Sequence, residues 1–131
     1  MRPFAVITWL SAATLSASGA ELHVGSGRAH PTIGSAVAAA SSGDTITVHG
    51  GRHGGATLGI TRPLTLVGLD GAILDGGSKN EIVLVSASDV TLRGFTLRDS
   101  GRSSTRELAG IRVENSARVR ITGCRFVNCD Y

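Results

Sequence analysis

Large aromatic side chains are scarce in this chain: its 131 residues include three Phe, one Trp and one Tyr. A compact globular core draws much of its filling from such rings, so their shortage points to an interior of thin aliphatic layers. Methionine is absent beyond Met1 and cysteine is limited to Cys124 and Cys129. That removes thioether ligands and leaves two thiols. The apolar stretch Phe4 to Leu15 falls short of the about 20 residues that a membrane-spanning helix needs, so no transmembrane segment is expected. The formal net charge is only +3, and single arginines alternate with threonines. A nucleic-acid binder concentrates a denser basic patch with stacking aromatics, so nucleic acid is not an expected partner. No Gly-rich phosphate loop, Ser-His-Asp arrangement or zinc spacing is visible either.

What the chain does hold is a repeat. Val90-Thr91-Leu92-Arg93-Gly94-Phe95-Thr96-Leu97-Arg98-Asp99 returns 29 residues later as Val119-Arg120-Ile121-Thr122-Gly123-Cys124-Arg125-Phe126-Val127-Asn128. The shared pattern is apolar, polar, apolar, polar, Gly, apolar, polar, apolar, any residue, Asp or Asn. Its first half also occurs 26 residues earlier, as Leu64-Thr65-Leu66-Val67-Gly68. Repeats of about 20 to 50 residues are the mark of stacked units, and the unit here is strand, corner, strand. This predicts a β-solenoid whose coils bury Val, Leu and Ile and turn on the 18 glycines. Val90, Leu92, Phe95 and Leu97 are expected to face inward, stacked on Val119, Ile121, Cys124 and Phe126, with Gly94 over Gly123 at a corner. Arg93, Arg98, Arg120 and Arg125 then point outward.

Residues 1–20 read as a secretory signal peptide: a basic start at Arg2, the uncharged stretch Phe4 to Leu15, and small residues from Ser16 to Ala20. Cleavage is expected at Ala20, with Ser18 at the third position before the cut, which implies a periplasmic or secreted protein. The alternative is a buried N-terminal strand. The remaining charge is uneven. From Glu21 to Asp89 four basic residues face six acids, whereas from Val90 to Tyr131 eight arginines face four. The basic half is either a solvated face or a shallow surface for an acidic partner or anionic glycan.

In order, Glu21 to Val24 reads as a first strand. Ile33, Ala36, Val37 and Ala40 then lie at i, i+3, i+4 and i+7, which predicts a helix of about nine residues. Thr32 is its N-cap and Ser41-Ser42-Gly43 its stop. A helix that short needs a surface to lie on, and the open apolar end of the first coil supplies one. Thr45 to Val48 is a strand, His49 to Gly55 a flexible corner, Thr57 to Ile60 a weak strand. Ile73-Leu74 precedes a tight Asp75-Gly76-Gly77 turn, Ser100 to Arg106 is a loop, and Ile111 to Glu114 mirrors Ile82 to Val85 at the 29-residue offset.

This order of pieces, from Thr32-Ile33 and Ala36 through Gly43-Asp44-Thr45-Ile46-Thr47-Val48, Pro63 to Gly68, Ile73 to Gly77 and the two repeats, resembles NosD-type proteins. The resemblance covers residues 32–131. It implies an all-β, right-handed parallel β-helix of the pectin-lyase-like kind at 21–131, with a short N-terminal capping helix and about three coils. It also implies a periplasmic accessory factor for the copper sites of nitrous-oxide reductase, working with an ABC transporter. Family members are several times longer, so the chain is expected to be a truncated, N-terminal fragment whose further sites lie outside it. Carbohydrate-binding and sugar-cleaving β-helices share the same opening. A protein that binds or cleaves acidic polysaccharide is therefore the alternative.

Against copper, the residues present offer imidazoles at His23, His30, His49 and His53. His49 and His53 flank the Gly-rich corner and are the candidate metal pair, which lacks a third ligand. Cys124 and Cys129 would stand about 16 Å apart in a straight strand, beyond the about 7 Å between α-carbons that a disulfide allows. A bridge requires a corner between them; a buried thiol at Cys124 and metal ligation are the other readings. A lyase needs clustered carboxylates and a base, a hydrolase two carboxylates about 5 to 10 Å apart. Asp70, Asp75, Asp89 and Asp99 are available, and turn chemistry accounts for Asp75 and Asp99. A scaffold without catalytic residues or a resident cofactor is the favoured reading of this segment.

Overall fold

The computed structural model describes residues 19–54, 56–79, 81–101 and 110–129. Short parallel strands make up most of its regular structure, with one helix, in agreement with an all-β class. Sheet one orders β1 (Glu21–Val24), β2 (Thr45–Val48), β5 (Thr65–Gly68), β8 (Thr91–Arg93) and β11 (Arg120–Thr122) side by side. Sheet two holds β3 (Gly51–Gly54), β6 (Ala72–Asp75), β9 (Thr96–Arg98) and β12 (Arg125–Val127). Sheet three holds β4 (Leu58–Ile60), β7 (Val83–Val85) and β10 (Ile111–Val113). From β2 onward the chain visits the three sheets in fixed rotation, so three successive strands form one tier and each tier pairs with the next.

The register follows the sequence repeat. Leu66 pairs with Leu92 and Leu92 with Ile121, while Leu97 pairs with Phe126. The 26- and 29-residue offsets therefore put like residues over like. Val90, Leu92, Phe95 and Leu97 are buried in one core with Val24, Ile46, Leu64 and Leu66. Burial of each such side chain contributes about 1.5 to 3 kcal/mol. The second copy stacks as expected but is less covered: Ile121 is 40% and Phe126 46% exposed, because no tier of described residues lies beyond them. Val119 and Cys124 are partly buried against the same core.

Two strand expectations change. Val83 pairs with Ile111 and Val85 with Val113, an offset of 28 rather than 29. A slip of one residue exchanges the faces of a strand, and an offset of 29 would set Val113 over the outward Leu84 instead of the buried Val85. The second change is at the corner His49 to Gly55, where Gly51–Gly54 forms β3, hydrogen-bonded to β6 from Gly51 with Ala72 to Gly54 with Asp75. Gly50 makes this possible, since a Cβ there would run into the Asp70 carbonyl oxygen. The corner where β8 meets β9 is closed in the same way. Gly94 has φ +81°, and a Cβ on Gly68 below it would come within 2.8 Å of the Gly94 oxygen and the Phe95 ring.

The helix α1 (Ile33–Ala39) buries Ile33, Ala36 and Val37 and packs on β1, β2 and β4. Thr32 caps it, its hydroxyl oxygen accepting from the Ser35 N–H at 3.1 Å. It is seven residues long, ending where Ala40 turns extended (φ −76°, ψ 150°). Arg62 finishes it from a distance, donating to the carbonyls of Ala40 (2.7 Å) and Val37 (2.9 Å). The Ala40 carbonyl is one of the unpaired acceptors of a helix C-terminus, and the Val37 carbonyl has a long bond from the Ala40 N–H (3.3 Å) besides; a cation is also favoured there by the helix dipole. The Arg62 Nε is buried without a partner.

Candidate functional site

Chemistry-bearing side chains gather at the outer corner where β1 and β2 end. Parallel pairing sets His23 beside Thr47, which carries His49, two residues on, to the level of the His23 ring. His49 Nε2 and His23 Nδ1 stand 2.9 Å apart, with ring centroids 5.2 Å apart and planes 23° from parallel. Arg28 Nη2 lies 3.5 Å from His49 Nδ1. A guanidinium only donates, so His49 accepts at Nδ1 and donates from Nε2 to His23 Nδ1. That leaves the His23 Nε2–H facing Glu21 Oε1 at 3.6 Å, and Glu21 Oε2 accepts from the Thr47 hydroxyl at 2.8 Å. The four side chains form one directed chain from guanidinium to carboxylate.

The candidate metal pair His49 and His53 is not brought together through its rings. His53 Nε2 donates to the backbone carbonyl of His49 at 3.1 Å, so that nitrogen is engaged. The partner of His49 is His23, which the spacing of the two residues along the chain does not reveal. His30 lies near, its N–H donating to the His23 carbonyl at 3.4 Å, without entering the ring pair. Among the described residues no group of three or more His, Cys, Asp or Glu is arranged to hold a metal ion.

A second feature is a groove of about 720 Å³ between α1 and the walls of sheets two and three. Arg52, His53, Thr57, Arg62, Asp75 and Glu81 are among its polar lining, and among the described residues no Phe, Trp or Tyr lines it. Asp75 is the best-held group in it. Its side chain is 6% exposed, Oδ1 accepts from the Gly77 N–H at 2.8 Å, Oδ2 accepts from Arg52 Nε at 2.7 Å, and Arg98 Nε lies 3.9 Å away. The Gly77 N–H first, then the Arg52 and Arg98 guanidiniums, hold the carboxyl below the usual carboxylate range against burial, which pushes it up. This is the tight Asp-Gly-Gly turn expected from sequence, with the acid closing its own turn.

Four further acids are likewise tied into the fold, and for Asp70 the described residues show no such tie but a left-handed backbone, φ 53°, at the turn before β6. Asp44 is buried and accepts from the N–H groups of Ala20 (2.9 Å) and Ser41 (2.8 Å). Asp99 accepts from Arg98 at 3.0 Å. Glu81 pairs with Arg112, and Asp89 with Arg118. Both cysteines are free thiols. Cys124 donates weakly to the Leu92 carbonyl at 3.8 Å and Cys129 to the Leu97 carbonyl at 3.7 Å. Each thiol therefore rests on the tier below it, packing as a small apolar group.

Of the signal peptide expected at residues 1–20, only Gly19 and Ala20 fall within the described residues, and the Ala20 carbonyl accepts from the Thr45 N–H at 2.9 Å. The loop expected at Ser100 to Arg106 lies outside them beyond Gly101. No helix among the described residues is long and apolar enough to cross a membrane. Comparison of the chain with protein-family models, with curated proteins and with solved structures finds no match.

Proposed function

We propose that the stack is a right-handed parallel β-helix that serves as a non-catalytic scaffold, in the manner of NosD-type accessory proteins. In this reading it presents a surface to periplasmic partners that mature the copper sites of nitrous-oxide reductase, an ABC transporter among them. Right-handedness rests on the general rule that parallel strands joined by a crossover almost always follow that hand. The scaffold role rests on one observation above others: the carboxylates of Asp44, Asp75, Asp89 and Asp99 are each held by backbone N–H groups or arginines within the stack. An acid engaged in this way is poorly placed to take or give a proton to a substrate. The family reading itself rests on the order of motifs in the chain.

The test is made in a host that carries nitrous-oxide reductase. Deleting the gene for this chain should lower the copper content of the purified reductase, and re-expression should restore it. A fully copper-loaded reductase in the deletion strain overturns the accessory reading. Amino-terminal sequencing of the exported protein tests the leader, with Glu21 as the expected first residue.

The groove favours a second reading, a module for acidic polysaccharide. Arg52, held at Nε by Asp75 and with a side chain 67% exposed, lines the groove with His53 and Thr57. Incubation with uronate-containing glycans separates the two. Unsaturated or reducing-end products support the glycan reading and count against a non-catalytic scaffold.

A further inference from the structure

We propose that the open end of the stack, formed by β10, β11 and β12, is a docking face for a second copy of this chain, and that the two copies meet face to face about a two-fold axis. All three sheets end there: β10, β11 and β12 each have a strand on one side only among the described residues. Their outer N–H and C=O groups are free to pair with another strand. Val113, Ile121 and Phe126 stand on this end, in register with the buried Val85, Leu92 and Leu97 below them. The apolar interior thus reaches the surface, ringed by three strand edges.

Symmetry and charge decide what fits. The opposite end carries α1, packed on β1, β2 and β4, which obstructs head-to-tail stacking and leaves a closed, face-to-face pair. Turning one copy over makes the facing strands antiparallel, so that one sheet edge meets itself and the other two meet each other. Residues directly opposite in such a pair share a face of the sheet. If β11 meets itself, β12 meets β10 of the second copy, and setting the inward Phe126 opposite the inward Val113 brings Arg125 opposite Glu114. If β12 meets itself, setting Ile121 opposite Val113 brings Arg120 opposite Glu114. Glu114, Arg120 and Arg125 are exposed, and among the described residues their side chains make no ion pair or hydrogen bond. Inside the stack neighbouring tiers are joined by Arg52 with Asp75, Glu81 with Arg112 and Asp89 with Arg118. A second copy supplies the same kind of pair, twice, at the one end where the charges lack it.

The face is small, since each of its strands has three residues, and falls below the about 1,200 to 2,000 Å² of a stable complex. The dimer is therefore weak, and at the dilution of an unfolding experiment the end is open. This pairing is independent of the accessory and glycan readings, because it is measured on the purified chain alone. Sedimentation from micromolar to millimolar concentration should show a monomer in equilibrium with a dimer and nothing larger. Glu114→Arg, and the double variant Arg120→Glu with Arg125→Glu, should each weaken the dimer by about tenfold, because like charges then face each other. Mixing the two variants should restore dimerisation as a heterodimer, a gain that misfolding cannot produce. A monomer at every concentration, assemblies that grow beyond the dimer, or a mixture no better associated than either variant overturns the proposal.

Discussion

Asp89 and Arg118 lie one above the other, 29 residues apart, joined by two hydrogen bonds of 2.5 and 3.0 Å, and both hold left-handed backbone, with φ of 60° and 56°. The pair marks the corner before β8 in one tier and before β11 in the next. Side-chain charge and backbone geometry thus repeat with the same period as the strands. The carboxyl of Asp89 is held below its usual range first by the hydrogen bond from Arg118, then by its charge. A depressed carboxylate contributes stability above its ordinary titration range, and this is lost as the pH falls through the folded value.

The first prediction concerns that pair. Exposed ion pairs are screened by salt, so Asp89→Asn should lower the melting temperature slightly at low ionic strength and at neutral pH. The difference from the parent should shrink in about 1 M salt. Thermal melts at both ionic strengths check it. An equal deficit at high and low salt would mean that the corner depends on the Asp89 backbone rather than on charge.

Asp75 is predicted to matter more, because it is nearly covered. Asp75→Ala removes the acceptor for the Gly77 N–H and leaves Arg52 without its partner, at a cost of about 1 to 3 kcal/mol. Asp75→Asn keeps an acceptor oxygen and loses only the charge. The sign of its pH dependence follows from the depressed carboxyl: the parent's advantage is full above the ordinary carboxylate value of 3.8 and fades as the pH falls below it. Urea unfolding at pH 7 and at about pH 3 should show the gap between the parent and Asp75→Asn closing in acid. A gap of constant size refutes an ionised role.

How far these features were legible in the sequence depends on their range. The pairing of Leu92 with Ile121 and of Leu97 with Phe126 was readable because alternation and a fixed period state it directly. β3 was not, since Gly51-Arg52-His53-Gly54 has neither alternation nor strand propensity and is extended because β6 lies beside it. The His23–His49 contact was hidden for another reason. It depends on the 24-residue offset between β1 and β2, which is set by the helix between them and not by the later repeat. A reading by chain proximity pairs His49 with His53 instead.

Arg62 is predicted to be the tie between α1 and the sheets. Arg62→Ala frees the Ala40 carbonyl and leaves the Val37 carbonyl with the Ala40 N–H, costing about 1 to 3 kcal/mol, and removes the cation from the C-terminal side of the dipole. The loss should be local. Hydrogen exchange of the α1 amides should accelerate more than that of β5 and β8, which do not depend on the cap. Uniform acceleration across helix and sheets would show that α1 and the sheets open as one unit.

The last prediction uses one repeat position in two environments. Leu97 and Phe126 are register partners in neighbouring strands, yet Leu97 is 1% exposed and Phe126 46%. Leu97→Ala leaves a cavity between two tiers and should cost about 2 to 5 kcal/mol. Phe126→Ala removes a larger side chain from a half-open face and should cost less, because part of that surface already meets water. The same face, with Ile121 at 40% and Val113 at 43% exposed, should dominate self-association, since exposed apolar patches and open strand edges recruit other chains. Phe126→Asp should therefore reduce concentration-dependent sedimentation, while lowering the urea midpoint less than Leu97→Ala does. If Phe126→Ala destabilises as much as Leu97→Ala, the face is covered in solution, and the repeat continues to bury this position as it buries the one below.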